Sequence, residues 1–140
     1  MIEGLLSAVV RWATAHPDVL AVALVGSHAR GCATPTSDID LVVIAVDPQR
    51  FLQETDWTTA FGVVTRQAVE HWGVVTSLRV WYEGGPEVEF GLTGAEWVAE
   101  PLDAGTRQVV SEGIRVLFDR EGLLASAVRR SPPEAWDECM

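Results

Sequence analysis

The chain contains no lysine: all ten basic residues are arginine, set against twenty acidic ones, for a formal net charge of -10. Apart from Arg129-Arg130 the arginines are scattered. Proteins that grip long nucleic acid carry a basic stripe, because phosphate contacts dominate that affinity; this charge pattern argues against such a partner. Cysteine is scarce as well. Cys32 and Cys139 are too few for a disulfide framework or a zinc site, and Cys32 has no evident base beside it. A disulfide between the two is left open by the sequence, but the chain reads as reduced and cytoplasmic. No apolar run reaches the roughly 18 residues that span a bilayer, so no membrane is expected. The opening "MIEGLLSAVVRWATAHPD" lacks a basic leader and reads as an amphipathic helix, not a signal peptide.

What is present suits a folded domain. The 140 residues are 48% hydrophobic, enough for a core, and show no repeat or low-complexity tract. Residues 1–130 are expected to form one domain, with 131–140, "SPPEAWDECM", as a loosely held tail. Leu5, Leu6, Val9, Trp12 and Ala13 recur at helical spacing over Ile2 to Ala15. Val19 to Val25 and Asp38 to Val46 are apolar runs of strand length. "DPQRFLQE" opens a short helix on Pro48. Thr58 to Trp72 reads as a further helix. Val74 to Tyr82 and Glu87 to Leu92 read as strands joined at a turn, "EGGP". "TGAEW" suggests a helical turn, and "TRQVVSEG" a helix stopped by Gly113. Ile114 to Phe118 is a short strand and Glu121 to Arg130 a last helix. The fold class is α/β (α+β): a mixed sheet of about five strands with helices packed on it.

The stretch "LVGSHARGCATPTSDIDLVVIAVD" concentrates the chemistry. Gly26 at a strand end allows positive φ and close approach of a ligand to the backbone. If "SHAR" opens a helix, its free N–H groups and the Ser27 hydroxyl suit a phosphate, within reach of Arg30. Ser37, beside the acidic pair, is expected to bind the nucleotide together with Gly26, Ser27 and Arg30. Asp38 and Asp40, two apart on a strand, face one side, about 5–7 Å from each other. At an effective dielectric near 20 their repulsion is roughly 2–3 kcal/mol. A divalent cation relieves it, and oxygen-only ligands suit Mg²⁺ shared with substrate phosphates. The bland alternative is a turn with Asp38 capping it and Asp40 solvated.

Gly26-Ser27, ten residues, then Asp38-Ile39-Asp40, or more fully "GSHARG" followed by "SDIDLVV", resembles the signature of the DNA polymerase beta-like nucleotidyltransferase superfamily. The resemblance is to its minimal and aminoglycoside-type bacterial members. It implies a nucleotidyltransferase fold with a largely antiparallel sheet. It also implies that Gly26 and Ser27 hold the triphosphate of an NTP, by family habit ATP, and that Asp38 and Asp40 bind two Mg²⁺ ions. A third carboxylate on a later strand completes such sites. In "GGPEVEFGL" both Glu87 and Glu89 lie opposite the apolar Val88, Phe90 and Leu92. Glu89, deeper in the strand, is preferred as catalytic and metal-binding group. The implied reaction is Mg²⁺-dependent transfer of a nucleoside monophosphate to an acceptor hydroxyl. The acceptor is expected to be a small molecule such as an antibiotic; the alternative is an antitoxin-type protein that binds or adenylylates a partner toxin.

Many relatives place the acceptor against a helical domain, and a homodimer or a helical partner protein is the expected substitute here. Glu83, Glu87, Glu96 and Glu100 favour a cationic acceptor, or serve solubility alone. Trp57 and Trp97 either line an acceptor surface or pack on the sheet.

Overall fold

The fold is known from a computed structural model that describes residues 2–72, 75–99 and 104–130. Among the described residues the strands are β1 Val19–Val25, β2 Ile39–Ala45, β3 Val64–Trp72, β4 Val75–Tyr82, β5 Glu87–Thr93 and β6 Arg115–Asp119. They make one sheet in the order β3-β4-β5-β2-β1-β6. Only the central pair, β2 with β5, is parallel; the other four contacts are antiparallel. The helices are α1 Glu3–Ala15, α2 Gly26–Arg30, α3 Pro48–Gln53, α4 Ala104–Glu112 and α5 Leu123–Arg130. Two 3-10 segments, Asp56–Phe61 and Ala95–Val98, complete the order.

Side chains alternate across a strand, so each strand contributes to both faces. On one face Leu24, Ile39, Leu41, Val43, Leu78, Val80, Val88, Phe90 and Leu92 are buried with Leu6, Val9 and Trp12 of α1. An aromatic cluster thickens this core. Trp12 stacks on Trp57 at 5.0 Å, and Trp57 meets Phe90 edge-on at 4.9 Å. The Trp57 indole N–H donates to the Phe51 carbonyl at 2.9 Å. Trp57 thus packs, partly buried, against the core. On the other face, Ala21, Ala23, Val42 and Ile44 pack against Trp97, Val98, Leu124 and Ala127. Trp97, only 3% exposed, is core. Towards β5 and β4 this second face turns polar, and there the candidate site lies.

The ends of α1 and α5 are fixed by β6 and the residue after it. The Arg120 guanidinium donates to the carbonyls of Ala13, His16 and Val19, closing the C-terminal turn of α1. Asp119 accepts from the amides of Leu124 and Ala125 and caps α5.

The expected helix over Thr58 to Trp72 is not formed. A 3-10 turn ends at Phe61, Gly62 follows at φ 152°, and residues 64–72 form β3, the sixth strand. A Cβ on Gly62 would stand 3.0 Å from the Tyr82 ring. Three β-branched residues, Val63, Val64 and Thr65, then disfavour a helix. Pairing along β4 from Val64↔Tyr82 to Trp72↔Val75 decides the matter. Gln67 anchors the strand to the preceding turn by donating to the Thr58 hydroxyl at 3.0 Å. The proposed tail 131–140 lies outside the described residues.

Candidate active site

Sheet register assembles the acidic site. β2 and β5 run parallel with Asp40 opposite Glu89, and β4 lies antiparallel to β5 with Arg79 opposite Glu89. On the other side Val25, the last residue of β1, pairs with Asp40. One row across four strands therefore reads Arg79, Glu89, Asp40, Val25, followed along the chain by Gly26. Asp38 precedes β2 instead of belonging to it, yet it joins the same cluster. One carboxylate oxygen from each of Asp38, Asp40 and Glu89 lies within 4.8 Å of the others. Glu87, the other candidate third carboxylate, sits outside that triad on Arg79.

Gly26 adopts φ 73°, and a Cβ there would collide with the Asp40 carboxylate. The glycine is thus required twice: by its own backbone conformation and by the acid that crosses above it. Gly26 and Ser27 open α2, Arg30 closes it, and all three are half-buried. Ser37 is used locally. Its hydroxyl accepts the Thr34 amide at 2.9 Å, and its own amide donates to the Thr34 carbonyl at 3.0 Å. The structure therefore gives Ser37 a turn-closing bond in the loop that delivers Asp38.

Arg79 and Glu70 are the members of this site that the sequence did not flag. The Arg79 side chain is 18% exposed, and its guanidinium touches four acids. It meets Asp38 at 3.0 Å, Glu70 at 3.1 Å and Glu89 at 3.2 Å, and Glu87 closely. Burial works against its charge, but the carboxylates of Asp38, Glu87, Glu89 and Glu70 outweigh that and hold its pKa above the usual arginine value. A signal existed: in "VTSLRVWY" Ser77, Arg79 and Trp81 alternate with Leu78, Val80 and Tyr82, which places an arginine mid-strand on the polar face. Glu70 had no such signal, because its strand reads as a helix.

Burial, then the negative charges of Asp38 and Glu89, push the Asp40 carboxyl up to about 7, with Arg79 pulling the other way. One Asp40 oxygen, Oδ1, is buried without a hydrogen-bond partner. Three convergent carboxylates and an orphaned buried oxygen fit a hard, oxygen-seeking divalent cation.

Fold and site together define a mixed α/β domain built around a carboxylate triad, with a strand-Gly-Ser turn against it. The nucleotidyltransferase domain family matches residues 8–82, more than half of the sequence, and the chain belongs to that family. The match spans Gly26, Ser27, Asp38, Asp40 and Arg79 and ends before Glu89. No curated protein matches the sequence. Among solved structures, an aminoglycoside 6-adenyltransferase from Bacillus subtilis is similar at TM-score 0.54 and 15% identity, over 67% of this chain and 35% of that one. A cytoplasmic RNA terminal U-transferase structure is similar at TM-score 0.44 and 15% identity, over 78% of this chain and 29% of that one. The chain thus spans about a third of the length of these structures. Among the described residues no helix is long and apolar enough to cross a membrane.

Proposed function

We propose that the chain transfers a nucleoside monophosphate, AMP by family habit, from a nucleoside triphosphate to an acceptor hydroxyl on a small molecule. The observation that carries this reading is the triad of Asp38, Asp40 and Glu89 within 4.8 Å, set against Gly26-Ser27 in a chain of the nucleotidyltransferase domain family. The likeness of fold to an aminoglycoside 6-adenyltransferase supports a small-molecule acceptor. The further carboxylates Glu70 and Glu87 beside the triad favour a cationic one.

In this mechanism Asp38, Asp40 and Glu89 would hold divalent cations, Mg²⁺ in the family habit. When bound, such ions stabilise the attacking and leaving oxygens of an in-line displacement at the α-phosphorus. Gly26 lets the backbone come close to the triphosphate, and Ser27 donates its hydroxyl to a phosphate oxygen. Arg30, at the other end of α2, adds positive charge for the departing pyrophosphate. Glu89 accepts the proton of the attacking hydroxyl. The residue range 1–130 is proposed as the catalytic domain.

The test is a transfer assay with α-labelled ATP and the other triphosphates, Mg²⁺, and a panel of cationic and neutral polyhydroxylated acceptors. Label passing to an acceptor, with pyrophosphate released in equal amount, is the expected result. Absence of transfer from every triphosphate to every acceptor would count against the reading.

A further inference from the structure

We propose that the Arg79 guanidinium is a built-in counter-ion of the triad: it occupies a cation's place between Asp38 and Glu89, and a divalent cation displaces it onto Glu70 and Glu87. The inference rests on reading the triad as a cation site. Its grounds are geometric. Arg79 bonds two of the three triad acids, Asp38 at 3.0 Å and Glu89 at 3.2 Å. It also bonds two acids that are not in the triad: Glu70, through both Nε and Nη2, and Glu87. The third triad member, Asp40, keeps Oδ1 buried and unpartnered. The arginine thus neutralises the triad incompletely, and the acids it would retreat to are already in contact with it.

Three carboxylates this close repel one another strongly unless a positive charge lies among them. A chain without bound metal needs such a charge to keep the triad assembled. Arginine suits the task, because its planar fork reaches several carboxylates at once and stays charged. The consequence is a threshold. A bare cation must break charge-assisted bonds to enter, whereas one arriving on a triphosphate brings additional oxygen ligands with it. Arg79 therefore ties cation entry to nucleotide entry and acts as a positioning residue.

The experiment is calorimetric titration of Mn²⁺ into the nucleotide-free full chain as wild type, Arg79→Lys and Arg79→Gln, with Tm recorded with and without Mn²⁺. Displacement predicts that Arg79→Gln binds Mn²⁺ about tenfold more tightly than wild type. Arg79→Lys should fall between the two, since it keeps the charge but a single ammonium cannot bridge both acids. Without metal the Tm order is reversed, and Mn²⁺ restores more Tm to Arg79→Gln than to wild type. If Arg79→Gln binds no more tightly, or Arg79→Lys binds as wild type does, displacement is wrong. Absence of Mn²⁺ binding in all three would also overturn it. Should Arg79→Gln fail to fold without metal, Arg79→Lys against wild type decides. No nucleotide or acceptor is involved, so failed transfer by a wild type that shows these Mn²⁺ shifts sinks the transfer reading alone.

Discussion

Two neighbouring rows cross the same four strands and have opposite fates. Leu78, Phe90, Leu41 and Leu24 lie side by side and are at most 1% exposed. One residue along, Arg79, Glu89, Asp40 and Val25 lie side by side on the other face, where acids and a base replace the aliphatic and aromatic groups. The backbone is shared; only the phase of the pleat differs. The apolar row is where the sheet is held together, and the charged row carries the chemistry proposed above. A one-residue slip of β5 against β2 would exchange them, so burial of Phe90 is also what keeps Glu89 opposite Asp40.

Substitutions in each row should separate these tasks. The largest loss of stability is expected from Phe90→Ala, about 3–5 kcal/mol, because Phe90 is fully buried and contacts Trp57 and Phe61. Denaturant unfolding measures it.

Asp40→Asn should do the reverse, lowering transfer by at least about a hundredfold without weakening the fold. Its effect on stability has a sign set by pH. The folded chain holds the Asp40 proton up to about 7, against an ordinary value of 3.8. The stability that proton contributes is complete below about pH 4 and is lost as pH rises towards 7. Asp40→Asn is therefore expected to raise the Tm of the metal-free chain by a few degrees at pH 8 and to leave it unchanged at pH 4.

Gly26→Ala tests the join between the charged row and the Gly26-Ser27 turn. Its Cβ meets the Asp40 carboxylate at a positive φ, for a cost of about 1–2 kcal/mol in stability. Transfer and Mn²⁺ binding should fall with it, as titration of the folded variant will report. The smallest effect is expected at the control pair. Arg50→Ala removes the exposed bridge to Asp18 at 3.2 Å and should cost below about 1 kcal/mol, with transfer unchanged. A large loss there would mean that the division between the two rows is incomplete.

Much of the charged row was legible because its signals are local. A strand, Gly-Ser, a fixed gap and Asp38-Ile39-Asp40 need no knowledge of the rest of the chain. Glu87 and Glu89 were readable as a polar face because Val88, Phe90 and Leu92 mark the other side. What separates the two glutamates is not local. Glu89 joins the triad and Glu87 goes to Arg79 because of the parallel register between β2 and β5. The segment 64–72 failed for a related reason. Its β-branched residues are interspersed with helix-compatible Arg66, Gln67, Ala68 and Glu70, and β4 beside them determines the strand. With that strand misread, Glu70 was hidden, and the ring of acids around Arg79 could not be seen. Trp57 and Trp97, near loops in sequence, pack inward because the 3-10 turns that carry them lie against the sheet.

The most direct test of the central claim is calorimetric titration of ATP and GTP, with and without Mg²⁺, into wild type and Asp40→Asn. The account predicts nucleotide binding that requires Mg²⁺ in wild type and is abolished by Asp40→Asn. Binding that survives Asp40→Asn at full strength, or no binding by wild type with either nucleotide, would contradict it.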